Sequence, residues 1–329
     1  MRTTVVRLVT AGLAATLGAG VLAAGGGGRA EGAAGYPTRP ITILVGFSAG
    51  ATVDVEARLF AQGLREQLHQ PVVVVDAVGG SGGIALEQLA ERPADGYTLL
   101  FATRSLSFLL ASGQTRFTLN DLVGVARLNG EASALFVRRD SPYRTLADLV
   151  RYAKDNPGKL TIAGAGAVAI THQVEAEFVD AAGIRATYVP FAGGGDVVTA
   201  VLGGHVDAGM AAASNARPSA DAGTMRYLAL SAKRGYAPMP SAPTFEQFGY
   251  PVAEYVWRGL LARAGVPAGV LATLSAAANA VRATPAWDVF ARQDGQVDLY
   301  LDAPSFQSYL AKEIAATTDI AKRLAQESK

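Results

Sequence analysis

Short β-branched runs alternate with segments of helical period in two stretches of this chain, and that alternation constrains the fold more than any other feature. Ile41 to Val45 is apolar and β-branched, which suits a strand covered on both faces. A turn of small residues follows, Gly46-Phe-Ser-Ala-Gly-Ala51, and then Val55, Leu59, Phe60, Leu64 and Leu68 recur at helical spacing to about His69. A second strand is expected over Val72–Val75, a helix from about Ile84 to Glu91 and a third strand over Tyr97–Ala102. The order β-α-β-α-β implies a parallel sheet with right-handed crossovers. The same order returns in strands at Leu160–Ala163, Ala186–Pro190 and Ala208–Ala212, separated by helices near Thr171–Ala182 and Asp196–Leu202. Thr145 and Asp148 form a capping-box pair at the start of a helix between the two sets.

Two α/β sets predict two lobes with a cleft between the carboxyl edges of their sheets. The chain crosses between lobes at strands near Leu135 and Trp257, and the helical stretches 269–283 and 305–326 return to the first lobe. The expected division is 35–134 with 257–329 for lobe 1 and 135–256 for lobe 2. Residues 1–34 read as a secretory leader: Arg2 and Arg7 precede an apolar run from Leu8 to Leu22, then alanines at 23, 24, 30, 33 and 34 offer cleavage points. A soluble protein outside the cytoplasm is expected.

Composition removes several classes of function. A net charge of +1 and 17% charged residues argue against a nucleic-acid face. The chain has no cysteine, so it has no disulfide, thiolate ligand or thiol nucleophile. Three histidines and no ligand motif argue against a metal, and no cofactor is implied.

Four small-residue loops follow strands: 46–52, 79–83, 164–169 and 192–195. Such loops let backbone N–H groups approach a ligand, and a helix N-terminus behind them favours an anion. Asp54, in the first helical turn, either caps its loop or contacts ligand. His172 either donates to an anion or ties neighbouring loops. Gly79-Gly-Ser-Gly-Gly83 satisfies G-x-S-x-G, which makes a secreted serine hydrolase using Ser81 the competing reading, although no ordered acid and histidine follow it. Gly164-Ala-Gly-Ala-Val-Ala169 satisfies a weak dinucleotide fingerprint but lacks the acidic residue at the next strand end. No acid–base pair is evident, so holding a small anion fits better than transforming one.

The order of motifs resembles the solute-binding proteins of tripartite tricarboxylate transporters, the Bug family. The resemblance rests on Tyr36-Pro-Thr-Arg-Pro-Ile41, Gly46-Phe47 through Asp54, Gln70-Pro-Val-Val-Val-Val75, Gly80-Ser-Gly-Gly83 and Asp95-Gly-Tyr-Thr-Leu-Leu100. It continues through Ala153-Lys-Asp-Asn-Pro-Gly158, Thr171-His172, Val189-Pro-Phe-Ala-Gly193, Leu202-Gly-Gly-His-Val-Asp207, Pro243-Thr244 and Trp257-Arg-Gly-Leu-Leu261. It implies a monomeric periplasmic receptor of the type II, Venus-flytrap fold that closes on a small carboxylate and delivers it to a membrane permease. An orphan sensory receptor for two-component signalling is the variant reading. By position, one grip on the ligand falls to Phe47, Ser48, Ala49, Gly50 and Asp54. The other falls to Gly164, Ala165, Gly166, His172, Phe191, Ala192 and Gly193. The family's usual Pro-Phe-Pro-Pro-Gly-Gly is here Gly46-Phe-Ser-Ala-Gly-Ala51, its serine pair is Gly164-Ala165, its Tyr-Lys-Gly is Phe191-Ala-Gly193, and a frequent acidic position is Ala211. These exchanges remove hydroxyl and charged donors and leave backbone ones, so a more apolar carboxylate is expected.

Overall fold

A computed structural model describes residues 35–167 and 169–327. The expected leader, 1–34, lies outside the described residues. The first α/β set runs β1 (Ile41–Val45), α1 (Thr52–Leu68), β2 (Val72–Asp76), α2 (Gly83–Ala90), β3 (Thr98–Thr103) and α3 (Arg104–Ser112). A long strand, β4 (Leu122–Arg138), leads into α4 (Leu146–Asp155) and the second set: β5 (Leu160–Ala165), α5 (Ile170–Ala182), β6 (Ala186–Phe191), α6 (Gly194–Leu202), β7 (Ala208–Ala212), α7 (Ala213–Asp221) and β8 (Met225–Leu230). The chain returns through β9 (Tyr255–Arg263), α8 (Ala268–Arg282), α9 (Pro285–Gln293), β10 (Val297–Leu301) and α10 (Ala303–Glu327).

The fold is α/β and two-lobed. In the first lobe β2-β1-β3 are parallel, and β9 joins β3 antiparallel. In the second, β6-β5-β7 are parallel. Strand β4 belongs to both sheets. Its residues 122–132 pair with β9, and 133–136 pair with β7. The register of the β4–β9 pair shifts between Gly124 and Ala126 and again between Arg127 and Asn129. Such bulges bend a strand, which lets one ribbon serve two sheets.

Periodic burial explains the packing. The apolar face of α1 (Val53, Ala57, Phe60, Ala61, Leu64) meets Ile41, Ile43 and Val45 of β1 and Val270, Leu274 and Val281 of α8. The second lobe buries Val174 and Phe178 of α5 with Leu146 and Leu149 of α4 against Leu160 and Ile162. Thr145 and Asp148 form the expected capping box at α4. The last helix, α10, lays Ala321 and Leu324 on Phe108 of α3 and Ala176 of α5, so it touches both lobes. Its Glu313 accepts from Trp257 Nε1 at 2.8 Å and pairs with Arg104 Nε at 3.0 Å, while Arg104 also pairs with Glu254.

Candidate cleft site

The site follows from what parallel strands do at their carboxyl ends. Each hands the chain to a helix, so helix N-termini collect along that edge. Here α1, α5 and α6 point their N-termini into one cavity of about 360 Å³ between the lobes. Ala51, Thr52 and Val53 line it from α1, Ile170 and Thr171 from α5, and Gly193, Gly194 and Gly195 from α6. The first N–H groups of a helix have no intrahelical acceptor. In α1 the intrahelical ladder begins with Val55 N–H on the Ala51 carbonyl at 3.0 Å, and in α6 with Val197 N–H on Gly193 at 3.2 Å. The N-cap residues are Ala51, Ala169 and Gly193, and none supplies a side-chain cap. Helices α4 and α9, by contrast, are capped by Thr145 and Thr284. The three cleft helices therefore offer backbone donors and positive dipole ends to the cavity.

Two further helices approach it. Thr103 lines the cavity and caps α3, accepting from Ser105 N–H at 3.2 Å. Asn215 of α7 lines it from the second lobe and donates to Thr52 Oγ1 of the first lobe at 3.1 Å, a hydrogen bond that spans the cleft. Asp196, exposed at the rim, is the acidic side chain of the lining.

Arg258 of β9 lines the same cavity and is 1% exposed. It pairs with Glu131 of β4, lies 3.4 Å from Glu56 of α1, and donates to the Val256 carbonyl at 2.7 Å. Glu131 also accepts the Ser214 N–H at 2.9 Å, which ties α7 to the crossing strand. Gln296 donates to Glu56 and to Asp294, both at 2.9 Å. Burial pushes Glu56 up to about 7 against the pull of Arg258. Burial, then the nearby Glu131, pushes Asp294 up to about 6. Burying this many charges is tolerable because each has a partner.

The expected grips divide. Phe47, Ser48, Ala49, Gly50, Ala165, Ala192 and Gly193 line this cavity. Gly166 and Phe191 line a second cavity of about 520 Å³, which shares Phe47, Ala165 and Ala192 with the first. Asp54, Gly164 and His172 stand behind both linings. Asp54 accepts the Gly50 N–H at 2.8 Å and pairs with Arg58 at 2.7 Å, so it fixes the β1–α1 turn. Burial would raise its carboxyl, but Arg58 and the Gly50 N–H hold it below the usual range. Gly164 is where Tyr188 crosses: a Cβ there would sit 2.2 Å from the Tyr188 hydroxyl. His172 Nδ1 lies 2.6 Å from the Ala167 carbonyl, and its ring stacks on Tyr188 at 3.8 Å. Burial raises the Tyr188 phenol, which keeps it a neutral donor to the Gly166 carbonyl at 2.8 Å.

Sequence reasoning singled out neither Arg258 nor Asn215, Thr52 or Thr103. Arg258 had a readable signal: a lone arginine inside Val256-Trp-Arg-Gly-Leu-Leu261 must be paired or face a ligand. Among the described residues no group of three or more His, Asp or Glu could hold a metal ion, and no helix is long and apolar enough to cross a membrane.

The two-lobed α/β fold is that of the periplasmic binding proteins. It superposes on a structure described as a periplasmic transporter with a TM-score of 0.82 at 27% identity, covering 88% of this chain and 98% of that one. A protein of R. palustris solved with adipate gives 0.81 at 26% identity, with coverage of 89% and 99%. In sequence, a protein of the tcbD–tcbE intergenic region of Pseudomonas sp. (strain P51) is 31% identical over 78% of each chain. Protein BugT of Bordetella pertussis is 29% identical over 85% of this chain and 87% of its own. The profile of the tripartite tricarboxylate transporter family receptor matches residues 56–327, and the chain belongs to that family.

Proposed function

We propose that this chain is the periplasmic receptor of a tripartite-type transporter and that it captures a small organic carboxylate in the cleft. The observation that carries the reading is the meeting of three uncapped helix N-termini, drawn from both lobes, in one cavity. A carboxylate seated there accepts from the first N–H groups of α1 on one side and α6 on the other. Its binding therefore joins the lobes, and β4 and β9 are the strands that flex. Lobe closure excludes water, which strengthens each charge–dipole contact. The paired Arg258 adds a positive edge that already has its counter-charges in Glu131 and Glu56. Adipate in the R. palustris relative is consistent with a carboxylate ligand.

Phe47, Ser48, Gly50, Ala165, Ala192 and Gly193 are assigned as contacts, and Asp54, Gly164 and His172 as the groups that hold the contact loops in shape. The protein works as a receptor and not as a catalyst. The engagement of His172 with Ala167 and Tyr188 favours that over hydrolysis by Ser81. The partner is a membrane permease, and the receptor acts as a monomer. Calorimetric titration with organic acids and their methyl esters tests the reading. Acids bind and esters of the same carboxyl do not; equal binding of acid and ester would refute it.

A further inference from the structure

We infer that the ligand carries one carboxylate and an uncharged, largely apolar body, such as an aryl or alkyl chain, and that the body fills the second cavity. The inference rests on the carboxylate-receptor reading and names the substrate class of that site. The second cavity is the larger of the two and meets the first at Phe47, Ala165 and Ala192. A ligand anchored at the helix N-termini therefore extends into it past these three residues.

The chemistry of the second cavity differs from that of the first, which Arg258 lines. Its side chains include Val78, Ile84, Leu109 and Phe191, and among the described residues no Lys, Arg or His lines it. The charged side chain that does line it is Glu87, an acid on α2. Some of its donors are already engaged. Ile84 N–H goes to the Gly79 carbonyl at 3.4 Å and Gly83 N–H to Gly80. Gly166 N–H goes to the Phe191 carbonyl at 2.8 Å, and Gln114 Nε2 to the Ala325 carbonyl at 3.2 Å. Ser81 and Thr115 contribute neutral hydroxyls. A second carboxylate placed here would lose its water, find no cation and face Glu87, which is unfavourable. An alkyl or aryl group would lose nothing and would cover apolar wall.

Titration calorimetry near pH 7.5 with hexanoate, 3-phenylpropanoate and adipate tests the assignment. The two monocarboxylates bind at least about tenfold tighter than adipate, which shares the six-carbon length of hexanoate but ends in a second charge. Ile84→Lys, at a residue 42% exposed, supplies the missing cation and moves the preference toward adipate by about tenfold or more. Adipate binding as tightly as hexanoate to the unmodified protein would overturn the assignment and leave the carboxylate-receptor reading standing. Failure of all three acids to bind would overturn the assignment, while the comparison of acids with their methyl esters tests the receptor reading separately.

Discussion

Arg258→Gln is the perturbation that reads most directly on how the two lobes are joined. The guanidinium is 1% exposed on a crossing strand, and it faces Glu131 of the other crossing strand and Glu56 of α1. Removing one partner of a buried pair leaves the other charge without compensation, which costs about 3–5 kcal/mol. Glu131 keeps its Ser214 N–H at 2.9 Å, so the loss falls toward the lower end of that range. In Arg258→Gln/Glu131→Gln the orphaned charge is gone, the glutamine oxygen still accepts from Ser214, and about 1–3 kcal/mol returns. Urea unfolding of the parent, both single variants and the double variant closes the cycle. The loss in Arg258→Gln is smaller at pH 5, where Glu56 is protonated, than at pH 8, where Glu56 of the parent is ionised against Arg258. A single-variant loss below about 1 kcal/mol, or additive losses with no coupling, would refute the view that this pair holds the junction.

Three other outcomes follow from named contacts. Glu56 is pushed up to about 7 from an ordinary 4.5. The folded protein then holds a proton that the unfolded chain has released, and stability falls by up to about 3 kcal/mol as pH rises from about 4.5 through 7. Glu56→Gln, which keeps an acceptor for Gln296, flattens that slope in urea melts across pH 5 to 8; an unchanged slope would assign it elsewhere. Gly46→Ala places a Cβ 2.5 Å from the Gly82 Cα, backbone against backbone, and costs about 1–3 kcal/mol in unfolding free energy; a neutral effect would mean that the two loops do not abut. Asn215→Leu breaks the 3.1 Å hydrogen bond to Thr52 across the cleft. It lowers carboxylate affinity about fivefold in calorimetry and changes stability by about 1 kcal/mol or less, whereas a stability loss with unchanged affinity would make Asn215 purely structural.

The fold was legible because its signals are local. Ile41 to Leu68 declares strand, turn and helix by composition and period, and Thr145 with Asp148 declares a helix start in four residues. Helix α3 was missed because β3 passes into it through Thr103 with no glycine or proline to mark the change. The first half of β4 was missed because Leu122 to Glu131 mixes polar and apolar residues whose burial is set by β9 and β10 rather than by one open face. The glycine loops of the cleft were legible as backbone donors. Their division between a cavity lined by Arg258 and one with no cation among its described lining residues was not, because it depends on which strands and loops meet in space. The Arg258–Glu131 pair spans 127 positions in sequence, and no local pattern encodes it.

The carboxylate clamp itself is tested by a crystal structure of the protein with a bound monocarboxylate such as hexanoate. The carboxyl oxygens should lie within about 3 Å of backbone N–H groups at the start of α1 and of α6, with the alkyl chain directed past Phe47 toward Ile84 and Leu109. A carboxylate held outside the cleft, or within it by side chains of one lobe alone, would contradict the account.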